Sequence, residues 1–137
     1  SDVFRSFVVE VHPEEEYALL RDPARYRAPR GRRWARISLD MEGNKSYLTV
    51  PVQLSDTLTL PLKLVLDTGA GHALSLETTS DARLQLPAAR LRTQLGRGLS
   101  GNINGYLGRV PALQLGRYRI PSLLTSFPDA AAVAQRV

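Results

Sequence analysis

An aspartate that directly follows a hydrophobic run is the residue of this chain best placed to do chemistry. The run Leu62–Leu66 reads Leu-Lys-Leu-Val-Leu, and Asp67, Thr68, Gly69 and Ala70 come immediately after it. A carboxylate at the end of a buried strand is costly unless a partner satisfies it, and such a group can act as a general acid or base. Gly69 permits a tight turn that a Cβ would hinder. The segment therefore predicts a strand, a sharp loop and a reactive carboxylate at Asp67.

A glycine-rich stretch follows further along the chain. Gly96, Gly98 and Gly101 have the G-x-G-x-x-G spacing of dinucleotide-binding loops. The context of such a loop is missing, because no clear strand pattern enters it, no helix pattern follows, and no acid stands about 20 residues on. Glycines lower the cost of unusual backbone dihedrals and loosen packing. We interpret Gly96–Gly105 as a mobile hairpin.

The other polar candidates do not suggest a metal site or a second nucleophile. The chain has no cysteine and two histidines, His12 and His72, and zinc needs more such ligands than these. Neighbouring strand positions point to opposite faces, so His72 is predicted to be a surface or subsite residue and not an acid–base partner of Asp67. Ser100 lacks the G-x-S-x-G elbow of serine hydrolases. We predict no metal and no cofactor.

The elements that position these residues are predicted from a hydrophobic pattern of period two, which is typical of half-buried strands. Turn signals at Gly43-Asn44 and Gly116-Arg117 separate neighbouring strands. The fold class is predicted to be all-β, with one short helix at Asp129–Arg136. The predicted strands are Phe7–Val11, Tyr17–Leu20, Trp34–Met41, Ser46–Leu54, Leu60–Leu66, Ala73–Leu76, Leu107–Leu115 and Tyr118–Phe127.

The segment Arg21–Arg36 holds seven arginines, and the whole chain has a net charge of +5. Pro23, Pro29 and Gly31 interrupt the segment, so a continuous helix is excluded. We interpret it as a solvated connector and predict no nucleic-acid partner. The alternative is a basic surface that binds nucleic acid through these arginines.

The composition limits the class of protein. A chain of 137 residues makes about one domain. A hydrophobic content of 43% with 23% charged residues excludes wholesale disorder. The longest apolar runs are far shorter than the ~20 residues that a spanning helix needs, so no membrane span is predicted.

The loop Asp-Thr-Gly-Ala at 67–70 resembles the active-site loop of the retropepsin-like aspartic proteases, and its apolar flanks fit that family as well. The resemblance implies a small closed β-barrel, with Asp67 as a catalytic residue and Thr68, Gly69 and Ala70 as the active-site loop. It also implies that the glycine-rich hairpin is the flap that closes over bound peptide. The substrate-binding residues of that flap would be Gly98, Leu99, Ser100 and Gly101.

The match is closest to bacterial proteins in which two such half-domains occur in tandem, often followed by a PDZ module. Residues 1–33 would then be a strand pair and arginine-rich connector from the end of a preceding lobe, and residues 34–137 a retropepsin-like lobe. Family members carry an Ile/Leu-Gly segment and a helix after the flap. No such segment stands before Val137, so we expect the lobe to be incomplete at its C-terminus. The resemblance also implies a bacterial periplasm or cell-envelope location.

The family's reaction needs two carboxylates that share one proton. One activates a water molecule while the other protonates the carbonyl oxygen. This chain has one Asp-Thr-Gly, so the second carboxylate is expected from another lobe or from a homodimer. The implied function is an aspartic endopeptidase that acts on peptide or protein substrates. The alternative is a catalytically inactive module that binds extended peptide by strand addition at the hairpin.

Overall fold

The computed structural model describes residues 2–134, and these are nearly all β. Strands account for 51% of the structure, so the predicted all-β class is confirmed. The short helix α2 lies inside the predicted helical segment, whose last two residues fall outside the described part of the chain. The elements in chain order are α1 (Asp2–Ser6), β1 (Val8–His12), β2 (Tyr17–Arg21), β3 (Asp40–Glu42), β4 (Lys45–Gln53), β5 (Thr59–Val65), β6 (Leu74–Ser75), β7 (Arg90–Gly98), β8 (Gly101–Leu115), β9 (Tyr118–Pro128) and α2 (Ala130–Ala134).

Strands β1 and β2 form an antiparallel hairpin that is a two-stranded sheet of its own. The hairpin confirms the predicted N-terminal strand pair. The rings of His12 and Tyr17 stack at its end with their centroids 4.5 Å apart. Arg21 donates a hydrogen bond to the carboxylate of Glu10, and this bond, with a second from His12, holds the pKa of Glu10 below its ordinary value. All five residues of β2 are exposed, so this hairpin lies outside the core.

The predicted strand Trp34–Met41 is wrong over most of its length, because the chain joins the sheet only in the three-residue β3. The alternating pattern does follow burial, since Ala35 and Ile37 are half-buried between exposed neighbours. A strand also needs a partner for its backbone groups, which the pattern alone does not supply. The segment instead packs near the β8–β9 turn, where the Tyr118 hydroxyl donates a hydrogen bond to the carbonyl of Arg32.

The other seven strands form one sheet in the order β3-β4-β8-β9-β6, with β5 added to β4 and β7 added to β8. The pairings are antiparallel except for that of β6 with β9, which is parallel. Strand β8 spans 15 residues and pairs with three neighbours. Within residues 2–134 the sheet is not closed into a barrel, in agreement with the expected incomplete form of the fold.

The core is formed by the side chains that point to one face of this sheet, which are alternate residues along each strand. On β4, Val50 and Val52 are buried and the intervening Pro51 is exposed, as the period-two pattern predicts. Val52 is fully buried and lies opposite Leu60 of β5 and Leu113 of β8. This packing holds β4, β5 and β8 in register. The buried cluster comprises Val50, Val52, Leu60, Leu74, Leu76, Leu84, Val110, Leu113 and Phe127.

Candidate active site

Strand β5 carries the chain to the aspartate loop. It pairs with β4 from Thr59 to Val65. One more backbone hydrogen bond, from the Leu66 N–H to the carbonyl of Ser46 at 2.9 Å, extends this pairing to the residue before Asp67. The backbone pairing of β4 and β5 therefore ends immediately before Asp67. The sequence predicts the end of the strand at this same position.

The loop after β5 turns around Asp67 itself. Its Oδ1 accepts a hydrogen bond from the Gly69 N–H at 2.9 Å, and its backbone carbonyl accepts one from the Ala70 N–H at 3.4 Å. Within the described residues Oδ2 has no hydrogen-bond partner. A Cβ on Gly69 would lie 3.4 Å from Oδ1, an ordinary contact, so this single chain does not itself require glycine there.

The aspartate loop is open to solvent, which differs from the expected buried strand end. Residues 67–70 are all exposed, and the two apolar residues before them, Val65 and Leu66, are 48% and 51% exposed. Within residues 2–134, no other element covers this strand end. The carboxylate therefore stands on an exposed surface that also carries two apolar side chains.

The chain returns from the loop to one edge of the sheet, where β6 is the last strand. Leu74 and Ser75 of β6 pair in parallel with Thr125 and Ser126 of β9, and the Leu76 N–H donates to the carbonyl of Ser126 at 2.9 Å. Thr125 and Ser126 are buried, and the Ser126 hydroxyl is satisfied by the carbonyl of Leu74 at 3.4 Å. Both ends of the loop are therefore fixed to the sheet.

The predicted glycine-rich hairpin is present. Strands β7 and β8 are joined by the two residues Leu99 and Ser100, with Gly98 opposite Gly101. Gly101 has a φ of 120°, a left-handed value that favours glycine. Leu99 stands fully exposed at the tip.

The strand that leads into this hairpin, β7, was not among the predicted strands. Its first residues alternate Arg90, Leu91, Arg92, Thr93, a period-two signal that could have identified it. The pattern is easily missed because Leu91 is 65% exposed and the strand has no buried face of its own. The interpretation of Gly96–Gly105 as a hairpin is confirmed. The statement that no strand leads into this segment is wrong, because β7 does so.

A side chain of the aspartate loop reaches this hairpin. The register of β7 against β8 shifts between Gln94 and Gly96, which leaves Leu95 as an extra residue. Such a bulge redirects the groups of the unpaired residue. The Leu95 carbonyl accepts a hydrogen bond from Nε2 of His72 at 2.8 Å. Since a carbonyl oxygen can only accept, Nε2 carries the proton. His72, half-buried, thus ties the loop to the hairpin.

The base of the hairpin is held by an arginine cluster that sequence reasoning did not identify. Arg92 donates two hydrogen bonds to the carboxylate of Asp129, at 2.6 and 2.7 Å. These bonds hold the pKa of Asp129 below its ordinary value. The guanidinium groups of Arg92 and Arg90 lie over the Tyr106 ring, 5.0 and 5.2 Å from its centroid. The base is anchored on both strands, and the tip extends beyond it.

The structure does not bring a second carboxylate to Asp67 within residues 2–134. The one hydrogen bond of its carboxylate there comes from the Gly69 N–H and not from another acid. Over the same residues, no group of three or more His, Cys, Asp or Glu side chains is arranged to hold a metal ion. No helix of the described chain has the length and apolar character needed to cross a membrane.

Most of this sheet lies within a region that matches a known family. The family model described as aspartyl protease matches residues 50–135, more than half of the chain, from β4 through the Asp67 loop and the hairpin to α2. No curated protein and no solved structure gives a significant match. The matched region includes both features that the sequence singles out, the Asp-Thr-Gly-Ala loop and the glycine-rich hairpin. The chain belongs to the aspartyl protease family.

Proposed function

We propose that this chain is one lobe of a retropepsin-like aspartic endopeptidase and that Asp67 supplies one of its two catalytic carboxylates. The observation that carries the proposal is the position of Asp67. It stands at the end of the β4–β5 ladder, exposed, with one carboxylate oxygen free of any partner in the described chain. Thr68, Gly69 and Ala70 form the rest of the active-site loop.

The reaction follows from two carboxylates about 3 Å apart, which cannot both ionise and so share one proton. The ionised member takes a proton from water, and the oxygen of that water attacks the peptide carbonyl carbon. The protonated member donates its proton to the carbonyl oxygen. Collapse of the tetrahedral intermediate breaks the C–N bond, and a proton passes to the leaving amine. One water is consumed and the carboxylates return to their starting state.

The second carboxylate comes from another lobe or from a second copy of this chain. The exposed apolar pair Val65 and Leu66 beside Asp67 supports a partner on this surface, because covering them removes apolar area from water. A two-fold axis through such a contact would set the two aspartate loops face to face, with Thr68 and Gly69 at the centre.

The β7–β8 hairpin acts as the flap over bound peptide. Its base is fixed by Arg92 and Asp129, and its bulge is bonded to His72. Its tip, Gly98–Gly101, carries the fully exposed Leu99. An anchored base with an exposed apolar tip suits a cover that packs on a substrate side chain.

The same proposal divides the chain at the arginine-rich connector. Residues 1–33 belong with a preceding lobe, and residues 34–137 form the lobe that carries Asp67. The separate two-stranded sheet of β1 and β2 supports this division.

A cleavage assay with a matched aspartate control tests the proposal. The protein is incubated with a mixture of unstructured peptides at mildly acidic pH, and products are identified by mass spectrometry. Asp67→Asn should lower the rate by at least about 100-fold, the lower limit for loss of a general acid–base group. Asp56→Asn changes an exposed aspartate in the turn before β5 and should leave the rate unchanged.

The dependence on protein concentration identifies the source of the second carboxylate. For a homodimer, the rate per chain rises with concentration in parallel with dimer mass measured by light scattering. Full cleavage by Asp67→Asn would overturn the proposal. Peptide binding without cleavage by an established dimer would also overturn it, in favour of the inactive peptide-binding module.

A further inference from the structure

A cavity of about 340 Å³ lies away from the aspartate loop, between the arginine-rich connector and the β8–β9 turn. Three arginines line it: Arg30 and Arg36 from the connector, and Arg117 from the turn. Two aromatic residues, Tyr26 and Trp34, complete the wall that the connector provides. The connector was expected to be a solvated link, yet here it builds half of a concave site.

Named contacts hold the two walls together. The Tyr118 hydroxyl donates a hydrogen bond to the carbonyl of Arg32. Gly116, with a left-handed φ of 57°, packs so closely that a Cβ added there would lie 3.0 Å from the Cβ of Ala35. The Trp34 N–H donates to the carbonyl of Gly31 at 3.2 Å and turns the connector back on itself. The cavity is therefore a product of tertiary packing and not of one flexible segment.

The charges around this cavity are unbalanced. No residue lining it is acidic. Within the described chain, Arg30, Arg36 and Arg117 make no ion pair and no side-chain hydrogen bond, whereas Arg83 and Arg92 are each paired with an aspartate. Cations that converge without a counter-charge raise the local positive potential and attract an anion.

The number of arginines favours a phosphate over a carboxylate. A guanidinium group binds an oxyanion through two parallel N–H donors, and a carboxylate offers two oxygens. A phosphate monoester offers three terminal oxygens and close to two negative charges at neutral pH, so it can engage several guanidinium groups at once. Trp34, 54% exposed, and the half-buried Tyr26 add flat apolar surface beside these charges.

We propose that the cavity between the connector and the β8–β9 turn is a binding site for a phosphate monoester carried on a planar apolar group. Arg30, Arg36 and Arg117 bind the phosphate oxygens, and Trp34 and Tyr26 contact the group that carries it. The site does not depend on the peptidase function proposed above.

Trp34 is the single tryptophan of the chain, so its fluorescence reports directly on this cavity. Phenyl phosphate, inorganic phosphate and phenol are titrated separately at an ionic strength held constant with sodium chloride. Saturable fluorescence changes are expected with both phosphates, with tighter binding of phenyl phosphate, and none with phenol. Calorimetry with phenyl phosphate provides a readout that does not depend on the tryptophan.

Three arginine variants distinguish binding at a defined site from non-specific attraction by the positive charge of the connector. Arg36→Gln and Arg117→Gln should each raise the Kd for phenyl phosphate about tenfold, the loss expected for one charge-assisted contact. Arg33→Gln removes the same charge from the same connector at a position that does not line the cavity. It should leave the Kd within about twofold, since exposed charges at a distance are screened by salt. Circular dichroism verifies that each variant is folded.

Several results would overturn the proposal. One is the absence of saturable binding by both fluorescence and calorimetry. Another is an equal loss of affinity in Arg33→Gln and Arg36→Gln. A third is tighter binding of a single-stranded oligonucleotide that weakens equally in all three variants. The last two results would assign the connector to non-specific binding of polyanions.

Discussion

The imidazole Nε2 of His72 lies 2.8 Å from the backbone carbonyl oxygen of Leu95. His72 stands in the loop that follows Asp67, and Leu95 is the bulged residue of the strand that leads to the hairpin tip. The two parts of the proposed active site are thus joined by one hydrogen bond across 23 residues of sequence. The orientation of the hairpin relative to the carboxylate depends on a side chain and not on backbone pairing alone.

Replacement of His72 by leucine is expected to loosen the hairpin. The variant loses the donor to the Leu95 carbonyl and should be less stable by about 1 kcal/mol, the usual contribution of one hydrogen bond. Hydrogen exchange of the amides near Leu95 should become faster. His72→Gln retains an N–H donor and should recover part of the protection. His12→Leu, in the separate N-terminal hairpin, is the control. If hydrogen exchange near Leu95 is the same in wild type and His72→Leu, the His72–Leu95 hydrogen bond does not hold the hairpin in place.

Gly105 of β8 is predicted to tolerate no side chain. A Cβ at this position would lie 2.2 Å from the carbonyl oxygen of Phe127 and 2.9 Å from Cα of Pro128, both backbone atoms. Gly105→Ala should therefore lower the free energy of unfolding by about 3 kcal/mol or more, the upper range of overpacking. Gly96→Ala, on the facing strand, meets nothing within 4 Å and should change it by about 0.5 kcal/mol or less. Urea denaturation of both variants checks the contrast, and equal stabilities would contradict the close approach of β8 and β9.

Phe127 is predicted to be the main aromatic contribution to the core. Its exposed fraction is 2%, and phenylalanine-to-alanine changes at such positions cost about 3–5 kcal/mol. Leu124 lies on the same strand but is 42% exposed, so Leu124→Ala should cost about 0.5 kcal/mol or less. The midpoint of urea denaturation should therefore be clearly lower for Phe127→Ala than for Leu124→Ala. Similar midpoints would mean that the core does not include this end of β9.

Asp81 gives the stability of the chain an acid dependence. The side chain and the backbone N–H of Arg83 donate hydrogen bonds to its carboxylate and lower its pKa from 3.8 to about 2. Because the pKa is lower in the folded state, the unfolded chain binds the proton more readily between these values. The contribution is therefore present above pH 3.8 and is lost as the pH falls toward 2.

The difference in unfolding free energy between wild type and Asp81→Asn measures this effect. It should be constant near neutral pH and should shrink as the pH falls below 3.8. Asp56→Asn, which changes an exposed aspartate of another turn, serves as the control. A difference that does not vary with pH over this range would show that the Arg83 contact does not persist in solution.

Local patterns predicted most of the strands that the structure contains. The alternation along β4 and the turn glycines Gly43 and Gly116, both at left-handed φ values, are signals contained in a few consecutive residues. The Asp67 loop belongs to this class, because a hydrophobic run followed by Asp-Thr-Gly-Ala is visible without any knowledge of neighbours. The family match over residues 50–135 agrees with that interpretation.

The errors arose where a residue's environment comes from distant sequence. The segment Trp34–Met41 alternates like a strand, but only its last two residues pair with a neighbouring strand. Its first part packs instead near the β8–β9 turn, where Ala35 lies against Gly116. Strand β7 was missed because its contacts come from distant residues, Tyr106 on β8 and Asp129 just after β9. Periodicity describes which faces of a segment are apolar. It does not say which other segment will cover them.

Local residue patterns were enough to predict the all-β class, the strand that ends at Asp67, and the glycines that allow the hairpin to turn. Tertiary structure alone decided that His72 bonds to Leu95, and that Arg117 joins Arg30 and Arg36 around one cavity. The physical reason is the range of the interactions. Backbone conformation and amphipathic pattern act within a few residues, whereas side-chain hydrogen bonds and charge clusters depend on packing between segments that are far apart in the chain.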